Sequence, residues 1–462
     1  MISVFNQYVS VKHIVLVCFE SLIIVMSVIL EAKLRFWNQQ SQFLHYAWSS
    51  DFVLHLLTVF VLIQGARHYY KVNTGDVGSD QPVRLAPALA MGCLLMCLLY
   101  QVFPDIFVGS GMLLLTLIVA AVTIIAMRAG LDLFWQATTR GKNVLILGDG
   151  LTAVATAREV ERRSDLKMKI VGFLTPANSD SNGLFGYPIF GGKDKLRSVV
   201  DDRQVSRIIV ALDELRNALP VRELVWLRIR GVEVEDAQSA LASLTGRIWL
   251  QTTRPSWLVF SAGFQRSRST RLVKRFLDVT LSIIGLIVLS PLMCLTAIAI
   301  WLDSSGPILY RQVRVGLGGK EFDLIKFRSM HLNAEAEHGA QWARQGDPRQ
   351  TRVGQSLRKY RLDELPQFIN VIRGEMSLVG PRPERPVFVE QLRELIPFYD
   401  ERHSVRPGVT GWAQVQYRYG SSVDDAVRKL EYDLFYLRCL SNAFDIAIIF
   451  QTIRVVLFGY GR

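Results

Sequence analysis

The stretch "VTLSIIGLIVLSPLMCLTAIAIWL", residues 279–302, carries no charge and is long enough to span a bilayer core. Ser290 and Pro291 sit at its centre. A proline inside a helix removes a hydrogen bond and clashes with the preceding turn, so a break is expected there. The flanks carry the decision. Arg271, Lys274 and Arg275 precede the apolar run, and Arg311 and Arg314 follow it. Positive charge on both sides disfavours a crossing, because cationic flanks stay on the cytoplasmic face. The reading is a Pro-broken, re-entrant helix over residues 277–302 that enters and leaves by one face; the plainer alternative is a kinked spanning helix.

Outward from this segment the chain divides into three regions. Residues 1–135 read as a four-helix transmembrane bundle, with spans at 11–30, 47–66, 85–103 and 107–127. The connection 66–84 and the segment after the fourth span carry Lys and Arg, whereas 103–107 has none. Both ends of the bundle are therefore expected in the cytoplasm, with Lys33 and Arg35 running against the rule. Glu20, inside a span, suits either a functional group in the bilayer or a pairing within the bundle. Residues 140–262 read as a Rossmann-like α/β domain. "KNVLILGDGLTAVATAREVERR" (142–163) is a buried strand, a Gly-rich turn and an amphipathic helix, and "KMKIVGFLT" and "VSRIIVAL" are further strands. Gly148, Gly150 and Ala153 fit G-x-G-x-x-A, a pattern that lets backbone N–H groups approach a pyrophosphate. The strand that would end in a ribose-binding acid ends instead in "GFLT", so a nucleotide site and a structural or regulatory module both stay open.

The chain has 462 residues, half of them hydrophobic, and a net charge of +12. The apolar excess gathers near the N-terminus and around residue 290, which points to membrane rather than to a large core. The cationic surplus suits an anionic bilayer or a phosphate-rich substrate. There is no zinc-ligand spacing and no RNA-binding signature, so no nucleic-acid partner is expected. Five scattered cysteines form no disulfide framework, as on a reducing cytosolic side. No cleavable signal peptide is recognised, and the first apolar segment reads as a retained anchor.

The third region, residues 270–462, is dense in phosphate-type ligands. "LIKFRSM" supplies Lys326 and Arg328, on one side of the chain if it is extended. "DPRQTRVGQSLRKYRLDELPQF" supplies Arg358 and four further cations ahead of the acid pair Asp363–Glu364. "SLVGPRPERP" places Arg382 between two prolines that stiffen its backbone, and "SVRPGVTGWAQV" adds Arg406 with turn-forming glycines. Any one of these cations suits a solvated or lipid-facing charge. As a set beside two carboxylates they favour a site for a multiply charged phosphate compound. Within "RLDELPQF" (361–368), Leu365, Phe368, Ile369 and Ile372 recur at helical spacing, so Asp363 also reads as an N-cap and Glu364 as a first-turn acid.

"KFRSM", "RLDELPQFINVIRGEMSLVGPRP" and "RPGVTGWAQV", in this order after a Ser-Pro-broken apolar helix, resemble the bacterial sugar transferases, the monotopic polyprenyl-phosphate hexose-1-phosphate transferases. The whole chain is similar to the large form of that family, and the ending "VVLFGYGR" to its exopolysaccharide-locus branch. The implied architecture is an α/β membrane protein: a four-span bundle, a Rossmann-like domain and a mostly helical monotopic catalytic domain at the cytoplasmic face of the bacterial inner membrane. The implied reaction moves hexose-1-phosphate from UDP-glucose or UDP-galactose to undecaprenyl phosphate and releases UMP. The resemblance makes Asp363 the nucleophile and Glu364 the magnesium (Mg2+) ligand. Arg382 would help to hold the donor, while Lys326, Arg328, Arg358 and Arg406 would be substrate-binding cations.

A carboxylate is ionised at neutral pH and needs no base to attack, and a divalent cation with nearby arginines offsets the repulsion from a diphosphate. An interfacial site also spares extraction of a long lipid tail, at about 0.8 kcal/mol per methylene. The helices at "VFVEQLRELIPFY" and "FDIAIIFQTIRVVLFGY" read as interfacial or as core, and Trp412, Tyr417, Tyr419 and Tyr432 as sugar contacts or as packing. A polytopic bundle with a soluble module suits a homodimer. Two other classes compete: a membrane-tethered NAD-dependent oxidoreductase or epimerase built on 140–262, and a non-enzymatic glycan-export scaffold.

Overall fold

The computed structural model describes residues 2–4, 7–9, 11–37, 39–47, 52, a few positions within 122–130, 141–175, 186–212, 219–332 (apart from 262, 265 and 266), 347 and 349–457 (apart from 418, 419 and 421). It has two compact units, Met1–Ile2 with Val9–Gly141 and Ser3–Tyr8 with Lys142–Arg462. In the first, α1 (Val11–Arg35) covers the first expected span and continues through Lys33. Phe19, Leu22, Met26 and Leu30 form an exposed apolar stripe along it. The other three expected spans lie outside the described residues but for a few positions, as does the side chain of Glu20.

The second unit opens with a parallel sheet. Strands β1 (Lys142–Leu147), β2 (Met168–Thr175), β3 (Ile189–Gly191), β4 (Arg207–Val210) and β5 (Glu233–Asp236) lie in the order β3-β2-β1-β4-β5, the Rossmann-type arrangement expected. Helix α2 (Leu151–Arg162) follows β1 through the glycine turn. Gly148 has φ +128°, and a Cβ there would lie 2.4 Å from the carbonyl oxygen of Ala211. That glycine is therefore already required by the neighbouring strand's end. β2 ends in Thr175, which is fully buried, and not in a ribose-binding acid.

The sheet has its own core, around Leu145, Leu147, Leu174 and Ile208, and its last helix joins the core of the C-terminal region. Ala242, on α3 (Ala237–Thr245), and Ile248 pack in a single cluster with Trp412, Leu434 and Phe435. Arg247 donates to Glu431 at 2.7 Å, Glu431 accepts from Leu250 N at 3.1 Å, and Trp412 Nε1 donates to Gly246 O at 2.7 Å. Trp412 is thus a packing residue whose ring nitrogen has its partner inside the protein. Tyr417 gives its hydroxyl to Asp425, and Tyr419 lies outside the described residues.

Among the described residues, α4 (Arg268–Asp303) is long and apolar enough to cross a membrane. Its outer face is bare: Phe276, Ile287, Val288, Leu295 and Trp301 are all exposed. It runs through Pro291 as one helix, where two halves are expected. The reason lies next door. Pro291 cannot donate to Ile287 O, and the hydroxyl of Ser290 donates to that carbonyl instead, at 2.8 Å. A rod from Arg275 to Asp303 measures about 40 Å, yet both ends engage one globular body. Arg275 donates to Val371 O and Ile372 O, Asp278 accepts from Ser377 Oγ and Leu378 N, and Asp303 accepts from Val353 N. A crossing that put those ends on opposite faces would pull this body apart.

After α4 come an antiparallel hairpin, β6 (Leu309–Val315) and β7 (Glu321–Phe327), then α5 (Arg352–Lys359) and α6 (Gln367–Arg373). A two-stranded parallel pair follows, β8 (Ser377–Val379) with β9 (Gly408–Thr410). The helix Pro386–Leu395 buries Phe388 and Leu392 in the core, so packing wins over the interfacial reading there. Helix α7 (Val423–Cys439) crosses the core, and α8 (Asn442–Leu457) buries Phe444 and Ile448 while exposing Ile446 and Phe450.

The glycines of "RPGVTGW" do not serve a turn. A Cβ on Gly408 would lie 2.1 Å from Gly380 N, and one on Gly411 would lie 2.1 Å from Gly380 O. The backbones of "SLVGPRP" and "RPGVTGW" touch, and glycine is what lets them. Gly408→Ala is therefore expected to destabilise the fold by about 1–3 kcal/mol, the usual range for overpacking. A lowered thermal midpoint in detergent is the measurement, and an unchanged midpoint contradicts this packing.

Candidate active site

Arg361 follows α5 in the left-handed conformation, φ 53° and ψ 25°, which ends that helix and starts a single tight turn at Leu362–Glu364. Helix α6 then begins after Pro366, which occupies the cap position. Asp363 is consequently not an N-cap, contrary to expectation. Among the described contacts no hydrogen bond or ion pair ends on its carboxylate, although the residue is buried. Its partner is tied down. Arg382 Nη2 donates to Glu364 Oε1 at 2.7 Å, and Arg361 Nη1 stands 3.9 Å from Glu364 Oε2.

Charge separates the roles of the two acids. Burial and the neighbouring Glu364 push the Asp363 carboxyl up to about 6, against the pull of Lys326, Arg358 and Arg382. Burial acts upward on Glu364 too, but Arg382 and Arg361 outweigh it and hold that carboxyl down at about 2. The two titrate as a coupled pair in which Glu364 takes the first negative charge. Lys326 sits on β7 with its ammonium 5.2 Å from the Tyr310 ring centroid, across the hairpin. Burial first, then Arg314, Arg358 and Arg382, bring it down to about 8, while Asp363 opposes them. Lys326 also makes no described hydrogen bond or ion pair. A lysine and an aspartate, each without a described hydrogen bond or ion pair, thus lie close enough to act on each other's charge.

Five of the seven expected site residues are thus brought together: Asp363, Glu364, Lys326, Arg358 and Arg382. The other two serve the scaffold. Arg328 is buried and donates to Ser305 O, Ser304 O and Ser304 Oγ at 2.6–3.0 Å, closing the C-terminal end of α4. Arg406 is exposed and donates to Gly374 O at 2.9 Å, so that with Arg275 it serves the carbonyls at the end of α6. Among the described residues no group of three His, Cys, Asp or Glu side chains is placed to hold a metal.

The bacterial sugar transferase family matches residues 269–459. The undecaprenyl-phosphate glucose phosphotransferase of Komagataeibacter xylinus is 33% identical over 387 residues, 81% of this chain and 71% of that protein. The chain belongs to this family. It is also similar to the UDP-N-acetylgalactosamine-undecaprenyl-phosphate N-acetylgalactosaminephosphotransferase of Aeromonas hydrophila, at 50% identity over 189 residues, 41% of this chain and 44% of that protein. The UDP-glucose:undecaprenyl-phosphate glucose-1-phosphate transferase of Escherichia coli K12 is 46% identical over 185 residues, 40% of each chain. The match thus spans less than half the length of the Aeromonas and Escherichia proteins.

Sequence reading misses Arg314 at this candidate site. The sequence marks it as a membrane flank, yet it sits on the hairpin with Lys326 and acts on its charge. The signal was present in the alternation of "RQVRV", which sends Arg311, Val313 and Val315 to one side and Gln312 and Arg314 to the other. The different duties of the two KFR cations set up a contrast. Lys326→Met is expected to keep the thermal midpoint and lose donor turnover. Arg328→Met strips three hydrogen bonds from a helix end and is expected to destabilise by about 2–3 kcal/mol, with little change in KM for whatever stays folded. Matching KM effects in the two variants would show that Arg328 belongs to the site.

Proposed function

We propose that this family member transfers a sugar-1-phosphate from a UDP-sugar to undecaprenyl phosphate, releasing UMP and starting a surface glycan such as an exopolysaccharide. The observation that carries the reading is Asp363: a buried carboxylate with no hydrogen-bond partner, ringed by Lys326, Arg358 and Arg382. A carboxylate in that state is poorly solvated and therefore nucleophilic, and the surrounding cations draw in a diphosphate. Asp363 attacks the phosphorus that bears the sugar, the bond to the UMP oxygen breaks, and UMP leaves. The aspartyl phosphosugar is a mixed anhydride. A phosphate oxygen of the lipid then attacks the same phosphorus, the bond from that phosphorus to the Asp363 oxygen breaks, and the carboxylate is restored as the diphosphate link forms.

Arg382 holds Glu364 charged, and Lys326, which makes no described hydrogen bond or ion pair, is available to the departing phosphate. Magnesium fits this donor set. It keeps several waters and takes one or two carboxylates with substrate phosphates, so Glu364 together with the donor's phosphates would hold it without a protein cage, leaving Asp363 to attack. When bound it would neutralise phosphate charge. The exposed apolar face of α4 supports a location at the bilayer surface, where the lipid phosphate lies. Named relatives act with glucose and with N-acetylgalactosamine, so the donor panel should hold UDP-glucose, UDP-galactose and UDP-N-acetylgalactosamine.

UMP release over that panel, with undecaprenyl phosphate in detergent, tests the reading. Asp363→Asn is expected to lower it by roughly a thousandfold or more, and mass spectrometry of the wild type quenched in turnover should find the phosphosugar on Asp363. Full release by Asp363→Asn defeats the proposal. The pH profile follows from the two shifted groups. Attack needs Asp363 ionised, so kcat/KM should fall as pH drops through about 6. Phosphate capture needs Lys326 charged, so kcat/KM should fall again as pH rises through about 8. A profile flat between pH 5 and 9 would remove both assignments, on a scale of roughly one unit for each limb.

A further inference from the structure

The loop Gly380–Arg385 carries Arg382, and its two prolines do not fix it to the rest of the protein. Proline locks φ but leaves ψ free and offers no N–H, so the loop's carbonyls are the natural handles. Each is gripped. Arg314 Nη1 donates to Pro383 O at 3.2 Å, and Val315 N donates to Glu384 O at 3.0 Å. The carbonyl of Arg382 itself accepts from Arg402 Nη2 at 2.8 Å. Arg402 is 6% exposed, donates through Nη1 to the buried Tyr399 hydroxyl at 2.7 Å, and has Nη2 at 3.0 Å from Oδ2 of the buried Asp433. None of its described contacts is to Asp363 or Glu364.

A buried ion pair is seldom better for stability than apolar side chains of similar volume, so its value lies in what it orients. Arg402 orients one thing within reach of the site. We propose that Arg402 is a positioning residue: it grips the backbone of Arg382 so that the Arg382 guanidinium meets Glu364 and the donor's phosphates. Asp433 and Tyr399 aim Arg402 and neutralise it. The inference rests on the phosphosugar transfer proposed above, since Arg382 matters only if that site works on phosphates.

Arg402→Met alone leaves Asp433 buried without its cation and risks unfolding. The informative variant is therefore Arg402→Met with Asp433→Leu, which empties the site of both charges, compared with Arg402→Lys as a partial rescue. The pair is placed in the full-length wild type and in Arg382→Ala, and UMP release and donor KM are measured in detergent. With Arg382 present, the pair is expected to lower kcat/KM by about tenfold, within the range of coupling between neighbours, and Arg402→Lys by less. With Arg382 already gone, the pair should change it less than about twofold. Equal losses in both backgrounds, or no loss from Arg382→Ala, would overturn the positioning role. If the wild type releases no UMP, the transfer reading fails on its own. Hydrogen exchange then decides the grip: faster exchange confined to residues 380–385 in the pair variant supports it, and unchanged exchange rejects it.

Discussion

Two adjacent carboxylates cannot both be charged in a buried site unless a cation lies against one of them. Here that cation is Arg382, 2.7 Å from Glu364. With Glu364 held ionised, its charge and the surrounding burial fall on Asp363, whose carboxyl rises to about 6. Arg382, with help from Arg361, thus turns a pair of like residues into an anchored acid and a free one. Its placement matters because the hydrogen bond to Glu364, unlike the broader Coulomb attraction, weakens steeply once its angle is lost. Much of the C-terminal architecture bears on that placement.

The chain of supports can be followed to the membrane helix. The loop bearing Arg382 leaves β8, and β8 lies against β9 so closely that Gly380, Gly408 and Gly411 exclude any side chain between them. The last carbonyl of β8, Val379 O, accepts from Lys274 of α4 at 3.0 Å and from Tyr436 of α7 at 3.1 Å. Asp445 receives hydrogen bonds from both of those donors. Asp278 of α4 holds the strand's other end. Helix α4 therefore braces the strand that leads to Arg382 as well as presenting an apolar surface.

Three strands of the central sheet and its first helix were legible because each carries its own periodicity and punctuation. The short strands Ile189–Gly191 and Glu233–Asp236, and the strand order, were not, because three or four residues show no period of their own. At the site, the acid pair, Lys326, Arg358 and Arg382 were legible from clustering and from the family motifs. Arg328 and Arg406 were not, for a physical reason. A guanidinium binds a carbonyl as readily as a phosphate, and the deciding acceptors, Ser304 and Gly374, lie 24 and 32 residues away in the chain. The failed N-cap at Asp363 has a local cause of the same kind. Nothing in "KYRLDE" announces that Arg361 will adopt a left-handed conformation, which is uncommon outside glycine and asparagine.

Ser290 shows how a helix long and apolar enough to enter a membrane can keep a proline. A carbonyl left open in hydrocarbon costs several kcal/mol, and here the residue immediately before the proline covers it. The helix can then bend at Pro291 without exposing a polar group to lipid, which is what an element needs if both its ends must return to one body. Ser290 and Pro291 therefore act as a unit: the proline loosens the helix, and the serine removes the penalty for loosening it. On this argument a proline without its serine would favour a straight crossing or an unsatisfied apex. Either outcome would shift Lys274 and Asp278, and with them the strand that leads to Arg382.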